Sequence, residues 1–241
     1  KLNADKPVDV VLLDIQGKVA QHARGSSTDA EPALRFRGRV SNLVDAKGIV
    51  NPRSATISST TQVTRFPVAP IDVIASADGR LLALLGQMAT FTIEAQRSAD
   101  ATGSIKIFLE SDSARVTAAG VVDPQGRLTL AEELKAFFKV TPEMGNAFLA
   151  VLNPLLADVQ SAQRPIELTV HKEGFEVPLS DLRLANAKLS GSVDIGTLRM
   201  RQSGIAGSLV TGLRGTGSRV RDRPQFDAEF TTLQFQVADG I

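Results

Sequence analysis

His22 and His171 are the two histidines of this chain, and histidine is the side chain that most readily moves a proton or binds a metal near neutral pH. They lie far apart in sequence, and His171 falls in the polar phase of an alternating stretch. Each therefore reads as a solvated strand residue rather than a base or a ligand. Cysteine is absent, which removes disulfides, thiolate metal sites and cysteine nucleophiles together. No nucleophile-elbow pattern occurs, and no Walker lysine follows Gly207 or Gly212. Gly215-x-Gly217 lacks the third glycine of a dinucleotide fingerprint. Acidic residues are scattered singly, without the spacing of a paired-carboxylate site. The reading is of a non-enzymatic protein with no metal and no cofactor.

Two basic groups remain. Arg35, Arg37 and Arg39 alternate with Leu34, Phe36 and Val40, so they make a ladder on one face of a strand, a device that keeps a face soluble and resists edge pairing. Arg214, Arg219, Arg221 and Arg223 sit in a glycine-rich stretch, either a solvated loop or a contact for lipid headgroups or another polyanion. No aromatic residue interleaves these arginines and the net charge is +1, so nucleic acid is not an expected partner. The chain has 11 phenylalanines but no tyrosine or tryptophan. Rings without a polar handle belong in a core or an apolar lining, and their exclusive use argues against an outer-membrane barrel with its Tyr and Trp girdles.

The elements that must position these residues follow from hydrophobic period. Residues 8–15 and 18–23 read as a hairpin turning near Gly17, with a polar loop over 24–32. Strands are predicted at 34–40 and, rich in Ser and Thr, at 55–66. At 67–86 the pattern becomes helical, with Pro70 near the start, Asp72 in the first turn and Gly86 as the stop; Asp78-Gly79 divides it into two short helices. A meander follows: Ala89, Phe91, Ile93 and Ala95 in one phase, then strands at 105–110 and 114–122 turning at Asp112-Ser113, then a turn at Pro124-Gln125-Gly126. Over 128–140 a capping box at Thr129 and Glu132 competes with the alternation of Leu134, Ala136, Phe138 and Val140; strand is the reading.

Residues 141–178 are the centre of the pattern. Thr141 caps a helix over 142–160, with Pro142 at its first position and a kink at Pro154. Met144, Phe148, Val151, Leu152, Leu155, Leu156 and Val159 form its apolar stripe. The run is broken by Asn153 and Pro154 and is too short to span a bilayer. A hairpin follows, with Ile166, Leu168 and Val170 before the Glu173-Gly174 turn and Phe175 and Val177 after it. A second hairpin is predicted around Gly196, and a final strand changes phase between Phe230 and Leu233, which a bulge at Thr231-Thr232 would reconcile.

The fold class expected is α+β: a long, twisted, mostly antiparallel sheet, a half-pipe or groove, with two helical stretches on its concave face. Residues 1–241 read as one β-rich domain with sub-regions 1–66, 67–202 and 203–241. The closing Asp239-Gly240-Ile241 looks like a turn into a further strand, as in a piece of a longer polypeptide. The helical stripe has two readings. It is ordinary closed core, or it lines a groove for acyl chains in which Phe137 or Phe138, Phe148, Leu152, Leu155 and Leu156 face the ligand.

The stretches at 66–86, 139–179 and 187–204 resemble segments of bacterial envelope proteins of the AsmA and TamB type. The likeness lies in strand-rich meanders, a proline-started helix, and Asn153-Pro154-Leu155-Leu156 before a strand led by Pro165. It implies a β-groove related to the chorein-type bridge-like lipid-transfer proteins, a periplasmic or other cell-envelope location, and lipid acyl chains or other envelope proteins as partners. The alternative kept beside it is a structural or interaction module of a cell-envelope or surface assembly.

Overall fold

The computed structural model describes residues 11–17, 34–44, 47–51, 54–150, 154–179, 187–201 and 225–237, with the backbone alone at 11–14, 16–17 and 155. Six strands follow one another in chain order: β1 (Val11–Gly17), β2 (Leu34–Ser41), β3 (Thr56–Pro67), β4 (Met88–Arg97), β5 (Gly103–Ser111) and β6 (Ala114–Val122). Each pairs antiparallel with the next. Period-two alternation makes the strands, and local side-chain bonds make the turns. Ser111 Oγ accepts the Ala114 N–H at 2.9 Å, and Asp100 accepts from the Thr102 N–H and hydroxyl at 3.0 and 2.6 Å.

Beyond β6 come β7 (Arg127–Leu130) and β8 (Leu134–Phe138), which lie end to end along β6. The capping-box alternative at Thr129 is excluded, and the predicted strand is present in two pieces. β9 (Val159–Ala162) leaves this sheet. β10 (Ile166–Val170) pairs with β8 and β11 (Val177–Pro178) pairs with β7. β12 (Leu189–Asp194), β13 (Gly196–Arg201), β14 (Gln225–Phe230) and β15 (Leu233–Val237) complete the set. Twelve strands form one large sheet in the order β1-β2-β3-β4-β5-β6-β8-β10-β12-β15, with β7 and β11 alongside, and β14-β13-β9 form a second, small sheet. The fold is of the predicted α+β class, a large open curved antiparallel sheet with few helices.

Asp78-Gly79 divides the first helical stretch as predicted, into α1 (Val68–Ile74) and α2 (Arg80–Leu85). Asp72 has a different role from the one its position predicts. It is buried, at 5% exposure, and serves α2 instead of its own helix. Its carboxylate accepts the N–H groups of Gly79, Leu81 and Leu82 at 2.6, 2.8 and 3.4 Å, meeting donors that a helix start leaves unsatisfied.

The central helix is corrected more heavily. Thr141 does cap it, accepting the Met144 N–H at 3.2 Å, and the chain is helical without a break over residues 142–150, but it is α-helical only at Pro142–Met144, here α3, and again at Ala150. A π-helical turn lies between them at Gly145–Leu149, residues 151–153 lie outside the described residues, and Pro154 opens a 3₁₀ turn, Pro154–Asp158. Val159 already belongs to β9. Because a π turn bonds i to i+5, Met144 and Leu149 both face the core, and Phe148 is turned out at 38% exposure.

Neither predicted late hairpin forms. β10 and β11 have different partners, and β12 and β13 lie in different sheets. Gly196 is a corner, not a hairpin turn. The predicted bulge at Thr231-Thr232 is the matching corner on the paired strand segment, because β14 lies in the small sheet and β15 in the large one. Both halves of this two-stranded ribbon cross at the same level, as in orthogonally packed sheets. At the N-terminus, β1 runs through Gly17 and pairs with β2; the predicted strand at 18–23 and the loop at 24–32 lie outside the described residues.

The closed core sits where the sheets diverge. Leu198, at 0% exposure, is surrounded by Met144, Leu149, Leu156, Val159 and Met200, with Phe138, Val193, Phe226 and Phe230 packed at its margin.

Candidate functional site

Register, more than any pocket, defines the candidate site. Residues directly opposite one another across an antiparallel pair share a face. Leu34 pairs with Val63, Val63 with Phe91, Phe91 with Leu109, and Leu109 with Val116. The line continues through Ala136, Leu168 and Val193 to Leu233. Every residue in this row is apolar, from β2 to β15. At about 4.8 Å per strand it runs for roughly 40 Å.

The next row tells the opposite story. Arg35, Gln62, Thr92, Phe108, Thr117, Lys135, Thr169, Ser192 and Gln234 pair in succession on the other face. Phe108 is the one apolar residue among them. The sheet is thus two-faced over nearly its whole width, with Arg35, Arg37 and Arg39 exposed on the polar side as predicted.

On the apolar face, Phe91, Ile93, Ile105, Ile107, Leu109 and Val116 are each half-buried. A face covered by a second layer would bury them fully, as Leu198 on the small sheet is buried in the closed core. Among the described residues, the helices and the small sheet close one margin of the face, at Phe138, Ile166 and Val193. From β2 to β6 this face carries a single charged residue, Arg97, paired with Ile57 and Gly103 at the end remote from the helices. Arg97 is half-buried.

The predicted lining residues are dispersed. Leu156 is fully buried in the closed core, Phe138 packs at the margin of that core, and Phe148 is exposed. Phe137 pairs with Arg115 and Glu167 on the polar face, next to a depression lined also by Glu110, Asp112 and Lys139. Leu152, the side chain of Leu155, and Arg214, Arg219, Arg221 and Arg223 lie outside the described residues. Of the described part of the helical stripe, Met144, Leu156 and Val159 are closed core and Phe148 is exposed. The open apolar surface is the sheet, in Ile93, Ile105, Ile107 and Leu109. The signal for it was present as alternation in each strand, but only the register shows that the apolar phases line up on one side.

His171 places its Nδ1 3.4 Å from Glu133 Oε1, both partly exposed; this is a surface pair on the polar side. His22 lies outside the described residues. Among the described residues no three His, Asp or Glu side chains come together as a metal site would need, and no helix is long and apolar enough to cross a membrane. Comparison with protein-family models, with curated proteins and with solved structures finds no match to this chain.

Proposed function

We propose that the chain is a non-enzymatic, lipid-handling domain of a cell-envelope protein, which holds acyl chains against the apolar face of its large sheet. The observation that supports this reading is the uninterrupted apolar row from Leu34 to Leu233, half-buried through β4–β6 and backed by a polar face. A surface dominated by Ile, Leu, Val and Phe, with Ser59, Thr61 and Arg97 among its few polar side chains, suits a methylene chain better than a sugar or a peptide, most of whose polar groups would be left unpaired. The likeness to AsmA and TamB segments points to the same ligand class and, with it, to a periplasmic setting.

Magnitude decides how the chain must lie. A fully buried methylene contributes about 0.8 kcal/mol. On an open face about half of that is realised, so roughly ten methylenes reach only about millimolar affinity. Useful binding requires a long tail in contact along its whole length, for which the apolar face has room.

The test is native mass spectrometry after gentle extraction, together with uptake of a fluorescent fatty acid. Lipid should co-purify, and Ile107→Glu should abolish uptake while Thr117→Glu, on the opposite face, leaves it intact. A lipid-free protein that takes up no fatty acid would overturn the reading in favour of an interaction module whose sheet face meets another protein.

A further inference from the structure

Arg97 stands alone on the apolar face. The alternation of β4 places Phe91, Ile93 and Ala95 on that side and Arg97 after them, and all four are half-buried. Its cross-strand neighbours are Ile57 and Gly103. Arg97 carries five donors and a permanent charge on a residue half withdrawn from water, and a charge that loses water is ordinarily paired. Several arginines elsewhere are paired: Arg115 binds Glu110, Arg127 binds Asp123 and Glu176, Arg164 binds Asp194 and Arg199 binds Asp227. Arg35 and Arg39 on the polar face have no such partner among the described residues but are exposed to water, whereas Arg97 is half-buried. Arg97 makes no hydrogen bond or ion pair within the described structure. In the turn that follows Arg97, Asp100 accepts from Thr102 through Oδ1.

We infer that Arg97 anchors the anionic headgroup of the bound lipid, a carboxylate or a phosphate monoester, with the tail laid over Ile93, Ile105 and Ile107. This rests on the groove reading above and adds to it a ligand polarity and an orientation. A planar fork at the rim of an uncharged surface selects an acid over a neutral lipid, and the rim position leaves the headgroup in water while the methylenes are covered. The helical margin lies at the other end of the strands, so the tail points toward it.

Displacement of a fluorescent fatty acid from the full chain by three ligands tests this: palmitate, methyl palmitate and palmitoyl lysophosphatidate. The expected result is that at least one acid binds about tenfold more tightly than the neutral ester, since a charge-assisted pair at a partly exposed site contributes on the order of one decade. The two acids compared with each other separate carboxylate from phosphate. Arg97→Gln should bring the preferred acid down to the ester and leave the ester unchanged, and Arg97→Lys should retain part of the preference. Equal binding of acid and ester by the unaltered chain, or a preference that survives Arg97→Gln, overturns the role of Arg97 while the groove stands. Failure to bind any of the three overturns the groove and Arg97 with it.

Discussion

The carboxylate of Asp72 reaches out of α1 to accept the Gly79 N–H at 2.6 Å, and so fixes how α1 and α2 meet. Gly79 has φ of +81°, a conformation that glycine adopts without strain. The acid is buried and has three backbone donors to satisfy. Asp72→Ala should therefore cost about 2 kcal/mol, through the lost cap and the stranded donors. Asp72→Asn, which keeps one acceptor oxygen, should cost less. Urea unfolding with unchanged m-values measures both; equal stability of Asp72→Ala and the unaltered chain would show that the cap is not needed.

Closed core and open face should respond differently to truncation. Leu156→Ala removes a fully buried side chain and should destabilise by about 2–5 kcal/mol. Ile107→Ala on the half-buried sheet face should cost about 1 kcal/mol, since water already reaches the site. Similar losses at the two positions would mean that the sheet face is covered.

The turn after β6 supplies a pH dependence. The Arg127 N–H donates to Asp123 at 2.9 Å, as does the Gln125 N–H, and the Arg127 guanidinium lies 2.9 Å from the same carboxylate. The Arg127 backbone bond, opposed by burial and helped by that guanidinium and by Gln125, holds the Asp123 pKa below the ordinary carboxylate value. A depressed folded pKa means that the unfolded chain binds the proton more readily. The stabilising contribution is present above the unfolded Asp value and is lost as pH falls through the lower, folded one. In acid titrations followed by circular dichroism, Asp123→Ala should shallow the acid limb and leave the high-pH limb parallel to that of the unaltered chain.

The parts of the fold that were legible in sequence are those set by nearest neighbours. The phase of Arg35, Arg37 and Arg39, the meander through Ile93 and Ile107, the Asp78-Gly79 break and the Thr141 cap all follow from residues a few positions apart. Phe148 escaped because the turn that holds it bonds five residues ahead, and a period of 3.6 then selects the wrong face. The corners escaped because Gly196, with φ of +67°, has the chemistry of a hairpin turn, and only the partners of β12 and β13 distinguish the two. At Gly196 an added Cβ would fall 2.8 Å from Arg164 Nε, and Arg164 in turn holds Asp194 with two contacts of 2.8 Å. No local pattern announces an arrangement that joins residues thirty positions apart. The groove-lining residues were misplaced for the same reason: the helix showed its stripe within one segment, while the sheet shows its apolar row only after register is known.

Apart from Leu84, the closed core draws every side chain from Phe138 onward. Stability is therefore unevenly held along the chain. The C-terminal half is a cooperative unit that must bring β9, β13 and β14 together before it gains anything, whereas β1–β6 grow outward from it by hairpins between sequence neighbours. Such a meander behaves almost as a one-dimensional array, each strand leaning on the one before. Local opening should thus become easier, strand by strand, from β8 toward β1, so that the apolar face is firm where the core anchors it and increasingly compliant away from that anchor.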